Sequence, residues 1–408
     1  MPAHVKPLIA AAAAIICIAL GAPPAQAAGP TCGSVVMRST TLRADLTNCP
    51  DDGLVIGADN LILDLGGHTI DGIGTTEESA GVRLAGHHGV TIQGGTVREF
   101  DYGVKLDGAD GNTVLGVTAT RNFERGVQLQ EGSDGNRVAF VVATGNGLAG
   151  IVVFLSDRNV IAHATGSHNT FNGLTVAGSS GTRVSDSTFA GNTTGIGLVN
   201  GSSASVVAGN VVSGNAEAAL AIESDDNVIT RNRVEHNGWG ISFGGDRNQI
   251  VANVVTDSLG CSDGDCGTGI ETFGGAGNLI ASNLVTDTVD QGIRLREFEA
   301  DGGPPTIGNV IRANIVRGAG SGGIVLQDKT DEVTGHGTLK DNLVANNVVT
   351  GSGDDGINVT RPANTVSGNV TLRNRSLGIE AVPGVIDGGR NLAFGNGDPR
   401  QCVIVACH

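Results

Sequence analysis

The 408-residue sequence has one Tyr, one Trp and two Met, and aromatic residues make up only 3% of it. So few rings exclude a core built on stacked aromatics, and an aliphatic core is expected. Basic residues are also scarce, with 25 Lys and Arg against 41 Asp and Glu and a net charge of −16. That balance argues against a nucleic-acid partner, because phosphate binding is dominated by Lys and Arg. Long hydrophobic runs are nearly absent. The one apolar run, Leu8 to Leu20, has His4 and Lys6 ahead of it and Ala25-Gln26-Ala27 behind it, an A-x-A cleavage pattern. Gly21, Pro23 and Pro24 follow too soon for a membrane span, and Ile16 before Cys17 is not the small residue a lipoprotein signal requires. Residues 1–28 therefore read as a signal peptide, and the mature chain as secreted, without a membrane span. Removing the leader leaves 24 basic residues against 41 acidic.

Six cysteines lie beyond the leader, in three local pairs: Cys32 with Cys49, Cys261 with Cys266, and Cys402 with Cys407. No C-x-x-C occurs, which speaks against a structural zinc site. An even count in an exported chain favours disulfides. Six cysteines permit 15 connectivities, among which nearness in sequence selects the local ones.

What the chain does have is glycine, 65 residues of it, and a repeat. A small residue followed by Val, Ile or Leu recurs at Gly81, Gly103, Gly126, Gly150, Gly173, Gly195, Ala219, Gly240, Gly269, Gly292, Gly323, Gly356 and Gly378. Most steps are 21 to 24 residues; those ending at Gly269, Gly323 and Gly356 are longer. Alongside run asparagines five apart, at Asn227/Asn232, Asn248/Asn253, Asn278/Asn283, Asn309/Asn314, Asn342/Asn347 and Asn364/Asn369. Asn tolerates a left-handed bend, and stacked Asn side chains can hydrogen-bond from one coil to the next.

Each repeat thus holds three short strands, GIxL, NxI and NxV, with no room for a helix, and side chains alternate in and out. The expected fold is all-β: a right-handed parallel β-helix of about a dozen coils, roughly 60 Å long at about 4.8 Å per coil, its hand following the bias of parallel crossovers. Residues 29–408 form one domain in this reading. Caps at 29–53 and 395–408 cover the open strand edges.

The opening, CGSVVMRSTTLRADLTNCPDDGLVIGADNLILDLGGHTIDG from Cys32 to Gly72, resembles that of many bacterial secreted right-handed β-helix repeat proteins, and the later coils resemble the same pectate-lyase-like superfamily. That superfamily includes pectate lyases, polygalacturonases and alginate C5-epimerases, so the resemblance implies the fold across nearly the whole mature chain but no single activity. Polygalacturonases carry Asp-Asp followed by Gly-His-Gly. Here Asp354-Asp355 comes after Gly335-His336-Gly337, in reversed order, and the epimerase Asp-Pro-His is missing. Copper-handling β-helix proteins also exist, but one mature Met, Met37, and scattered histidines argue against a soft copper site. Gly274 to Asn278 resembles a calcium-binding nonapeptide once, lacks its Asp, and reads as a turn.

Counting from the Gly of each GIxL strand, positions two and four face outward. Position two reads Ser242, Glu271, Arg294, Val325, Asn358 and Glu380; position four reads Glu223, Gly244, Phe273, Arg296, Gln327 and Thr360. The extra residues of the long steps, at 256–267, 297–308 and 328–341, flank this strand and would wall a groove suited to a polymer. Catalytic residues are expected among Glu271, Arg294, Arg296, Glu297, Asp328, His336, Asp354 and Asp355. Substrate contacts are expected from Trp239, Phe273, Gln327, Lys329, Asn358 and Arg361, with Phe298 a further ring for stacking. Against this stand plainer roles: a surface ion pair for Glu271 and Arg294, turn formation for Asp354 and Asp355, and solvation for His336.

Elimination from a uronate needs cations at the carboxylate and a base at the C5 proton; Tyr102 is too many coils from Gly292 to serve that groove. Hydrolysis needs two carboxylates about 5 to 9.5 Å apart. Glu297 and Asp328, at equal positions in adjacent coils, fit the short end, or alternatively form a calcium site. The expected function is action on a polymeric glycan, uronic-acid polymers included, as a lyase, epimerase or hydrolase. The alternatives are a non-catalytic glycan-binding or structural rod and, behind it, a metal-delivery protein. No cofactor is required beyond possible Ca2+, the partner is a polysaccharide, and the chain is expected to be a monomer.

Overall fold

The computed structural model describes residues 1, 3, 29–74, 77–261, 266–297, 305–328 and 339–408; of Glu297 and Asp328 it describes the backbone. The expected leader therefore lies outside the described residues. Within them there is no helix, and hence none long and apolar enough to cross a membrane.

Every coil contributes one strand to a sixteen-stranded parallel sheet, the main sheet, which begins at Ser34–Val36 and ends at Cys402–Val403. The coil count is therefore nearer fifteen than a dozen, and at strand spacing the rod is about 70 Å long. The repeat count from sequence is lower because Ser34–Val36, Leu54–Ile56 and Cys402–Val403 lack the small-residue marker, although each pairs in register with its neighbour. Two further ladders run along the other sides, one through Val228–Thr230 and Gln249–Val251, the other through Arg233–Glu235 and Val254–Thr256. In the early coils these merge, since Thr91–Arg98 and Thr113–Thr120 run through the corner and belong to both. A short ladder of Gly275–Ala276, Thr306–Ile307 and Leu339–Lys340 is added in the long coils.

Inward positions one and three hold Val, Ile and Leu at or near zero exposure, with Phe243, Thr272 and Ala381 the exceptions, and the packed core cluster is aliphatic except for Phe100, Phe189 and Phe243. Glycine at position zero is explained by close approach rather than by a turn. A Cβ on Gly103, Gly126 or Gly150 would lie 2.5 to 2.6 Å from the carbonyl oxygen of the glycine one coil above.

The asparagines do form ladders, but their backbone role differs from the expectation. The left-handed residue is the one before each Asn: Arg231, Ala252, Ser282 and Ala313 have φ near 55°, while Asn232, Asn253, Asn283 and Asn314 do not. The Asn side chain instead turns inward, where it is buried. Asn253 Oδ1 accepts from both the backbone N–H and the Nδ2 of Asn232, each at 3.0 Å, and Asn253 Nδ2 donates to Asn283 Oδ1 at 3.1 Å. Each bend thus satisfies the polar groups that three short strands leave unpaired inside the coil.

The three local disulfides, Cys32–Cys49, Cys261–Cys266 and Cys402–Cys407, are formed.

Candidate functional site

The outward face of the main sheet presents three rows of side chains, before, within and after each strand. The expected residues divide there into two groups. In the first, Glu271 and Arg294 are directly paired in register, and Arg294 donates from Nε and Nη2 to Glu271 Oε1 at 3.0 and 2.7 Å. Arg296 Nε lies 3.1 Å from the same oxygen, and Asp290 is 3.8 Å from Arg294 Nη1. Glu271 is 2% exposed, so the surface pair considered from sequence is a buried one. Its carboxylate orients two guanidinium groups and is poorly placed to take a substrate proton. Trp239, Ser242 and Phe273 join Glu271 and Arg296 around a cleft of about 420 Å³.

The second group lies beyond Val325. Asp355, 4% exposed, accepts from the Leu377 backbone N–H at 2.8 Å and from Asn358 Nδ2 at 3.0 Å; Asn358 Nδ2 also lies 2.9 Å from Glu380 Oε2. Hydrogen bonding to Asp355, then burial and the charge of Asp355, raise the Glu380 carboxyl above its ordinary value. Burial, then the same charge, raises Asp354. Asp355 is thus more than a turn former: it belongs to a carboxyl pair with Glu380, which the sequence reading aligned but did not choose. Arg361 sits at the bend after this strand, its backbone oxygen accepting from Asn364 Nδ2 at 3.1 Å.

Gln327 pairs in register with Arg296, and Asp328 with Glu297, so the equal placement expected of the two acids holds for the backbone. Their side chains lie outside the described residues, as do Phe298, Lys329 and His336 altogether.

Sequence reasoning missed the earlier half of the same face. A second cleft, of about 480 Å³, is lined by Leu148, Ala149, Val152, Phe154, Phe171, Asn172, Thr175 and Val199. It shares Asn172 and Val199 with the first, so the two clefts adjoin and together follow the main sheet as a groove from the coil of Arg125 to that of Arg296. That is seven strand spacings, or about 34 Å. Its middle section has a floor of small residues, Thr194, Gly197, Ala218, Ala221 and Ser242, with Val152 and Thr175 toward the early end and Glu271 at the late end. Two aromatic pairs flank it, Phe154 with Phe171 and Trp239 with Phe273; Phe171 is 52% exposed. The position-four row, extended back through Phe154, carries part of this signal, whereas the insertions of the long steps all lie in later coils.

At the early end stand Tyr102, Lys105, Arg125 and Gln128. Lys105 Nζ lies 4.2 Å from the centre of the Tyr102 ring and pairs with Glu78, while Arg125 Nη1 donates to Gln128 Oε1 at 3.1 Å and lies 3.7 Å from Glu124. Burial and then Glu124 push the Tyr102 phenol well above its ordinary value, so it stays protonated and would donate rather than abstract a proton.

Comparison with known proteins agrees with the fold. A family model described as periplasmic copper-binding protein (NosD) matches residues 51–205 and 133–260, together a little over half the chain, and one described as right handed beta helix region matches residues 240–370. No curated protein matches. Among solved structures, the mannuronan C-5 epimerase A-module of Azotobacter vinelandii is 15% identical with a TM-score of 0.54, over 90% of this chain and 91% of that one. A periplasmic alginate epimerase is 15% identical with a TM-score of 0.50, over 77% of each. The Dettilon tailspike protein is 19% identical with a TM-score of 0.50; 76% of this chain is covered, but only 60% of the tailspike's length. Likeness at these identities is likeness of fold, the right-handed parallel β-helix.

Proposed function

The chain belongs to the family described as periplasmic copper-binding protein (NosD), and from that premise and the groove on its main sheet we propose that it is a polysaccharide-active protein outside the cytoplasm. The observation that carries this is the continuous groove with a small-residue floor and two aromatic pairs. Sugar rings pack their C–H faces on aromatic side chains, and a floor of small residues leaves room for rings above it. A groove of about 34 Å, set by seven strand spacings, suits an extended polymer better than a small molecule. The three disulfides fit an oxidising compartment, and secretion by the N-terminal leader is part of this reading. Neighbours of the same fold act on mannuronan or alginate by name, which supports a glycan ligand.

Copper fits the described residues poorly. All six described cysteines are in disulfides, and no three His, Cys, Asp or Glu side chains among the described residues converge as metal ligands. His87 and His88 both turn Nδ1 toward Asp59, at 2.9 and 3.4 Å, His68 turns Nδ1 toward Asp45 at 3.0 Å, and His163 stacks on Phe140. No step is derived through copper.

The burial of Glu271 under two arginines favours recognition at that centre, with any acid–base chemistry carried by other residues of the face. The test is a polysaccharide panel in which binding, new reducing ends and unsaturated-uronate absorbance are all measured. Retardation in affinity gels supports the groove, and product identifies the reaction as hydrolysis or elimination. Failure to retain or change any polymer would remove the proposal.

A further inference from the structure

We infer that the groove takes a neutral glycan and rejects polyuronates, a conclusion that rests on the glycan reading above and narrows it. The charge of its middle section decides this. Between the two aromatic pairs the floor is Thr194, Gly197, Ala218 and Ala221, none of them charged. Glu217 and Glu223 border it on opposite sides, the first just before the strand Ala218–Glu223 and the second its last residue, and both are exposed. Among the described residues neither has an ion-pair partner. The cations along the groove each face a carboxylate: Arg125 lies 3.7 Å from Glu124, Arg294 meets Glu271 and lies 3.8 Å from Asp290, and Arg296 Nε lies 3.1 Å from Glu271 Oε1.

A polyuronate laid along the groove brings one carboxylate about every 5 Å, close to the strand spacing. Those charges would meet Glu217 and Glu223 within a Debye length, on a protein whose net charge is already −16. A neutral glycan meets no such repulsion. Its hydroxyls donate to the two carboxylates, which gives charge-assisted hydrogen bonds, and its ring faces rest on Phe171 and Trp239. The aromatic pairs are centred about four strands apart, roughly 19 Å, so a chain must hold five or six sugars to reach both.

The experiment measures affinities of the intact mature protein for defined hexasaccharides at low and high salt. Neutral probes are 1,4-linked glucose, mannose, galactose and xylose hexamers, and anionic probes are mannuronate and galacturonate hexamers. At least one neutral hexamer is expected to bind at least tenfold more tightly than either uronate at low salt, with the gap shrinking at high salt. The double change Glu217→Gln with Glu223→Gln should narrow the low-salt gap by raising uronate affinity. Trimers of the preferred sugar should bind at least tenfold more weakly than hexamers, and Phe171→Ala should bring hexamer affinity down toward the trimer value. A uronate hexamer binding as tightly as the best neutral one, or a gap unmoved by the double change, overturns the inference and leaves the glycan reading standing. Binding of no hexamer at all overturns both.

Discussion

Arg294 stands directly over Glu271 in the parallel register and gives two hydrogen bonds to a single carboxylate oxygen, which Arg296 approaches from the same strand. Removing one member of such a buried set leaves the others as uncompensated charge, at a cost of about 3 to 5 kcal/mol. Glu271→Ala is therefore expected to lower the denaturation midpoint by a corresponding amount, and Arg294→Met paired with Glu271→Leu to recover part of it. Chemical denaturation of the single and double variants measures this; a single variant as stable as the parent would rule out a structural role for the pair.

The asparagine ladders lead to a local prediction. Asn253→Ala deprives the Asn232 backbone N–H and Nδ2 of their shared acceptor inside the coil. An unsatisfied buried donor costs about 1 to 3 kcal/mol. Hydrogen exchange read by mass spectrometry should quicken for segments at the Asn232 and Asn253 bends while coils near Asn122 keep their protection. Uniform loss along the rod would contradict a nearest-neighbour architecture.

Stability should depend on pH through the last coils. Glu380 and Asp354 are both raised in the folded chain, the first mainly by its hydrogen bond with Asp355 and the second mainly by burial; Arg375 opposes the shift at Asp354. Between the ordinary carboxylate value and the raised one, the folded state binds more protons than the unfolded. Folding stability from these groups is therefore present below that window and falls as pH rises through it. Glu380→Gln should flatten this slope and raise the melting temperature at neutral pH, which thermal scans from pH 4 to 8 would show.

Calcium is the ion to test at Glu297 and Asp328, whose backbones are paired in register one strand apart. Two carboxylates about 5 Å apart repel unless a proton or a cation lies between them. Added calcium should raise the melting temperature, and Glu297→Gln with Asp328→Asn should abolish the rise. The same calcium response in the double variant would discard this site.

Much of the fold was legible because it is written in a repeat. Gly103, Gly126 and Gly150 mark where two backbones touch, and Asn232, Asn253 and Asn283 mark where one coil hands a hydrogen bond to the next. The site was less legible because side-chain partners depend on which residues share a row and on what covers them. Glu271 and Arg294 could be aligned from sequence, but their burial could not be read there. Glu380 was aligned and passed over, since nothing local ties it to Asp355. The groove at Phe154 and Phe171 went unseen because no insertion announces it: the sheet itself, with small residues flanked by large ones, makes the depression.

The left-handed corner ahead of the inward-turned column Val141, Ala164, Ser187, Asn210, Asn232, Asn253, Asn283 and Asn314 holds Phe140, His163, Asp186, Gly209, Arg231, Ala252, Ser282 and Ala313 in successive coils; those that are not glycine are exposed, with φ between 50° and 57°. The backbone does the bending there and the side chains stay at the surface, Phe140 and His163 stacked on each other, so the position accepts almost any residue at the cost of conformational strain for most of them. An L-residue other than Gly or Asn in this region is disfavoured by roughly 1 kcal/mol or more. The corner column is thus a reserve of unused stability. Asn at Ala252 and Ala313 would draw on it without touching the core, the ladders or the groove, and because alternate corners lie about 10 Å apart their gains should add.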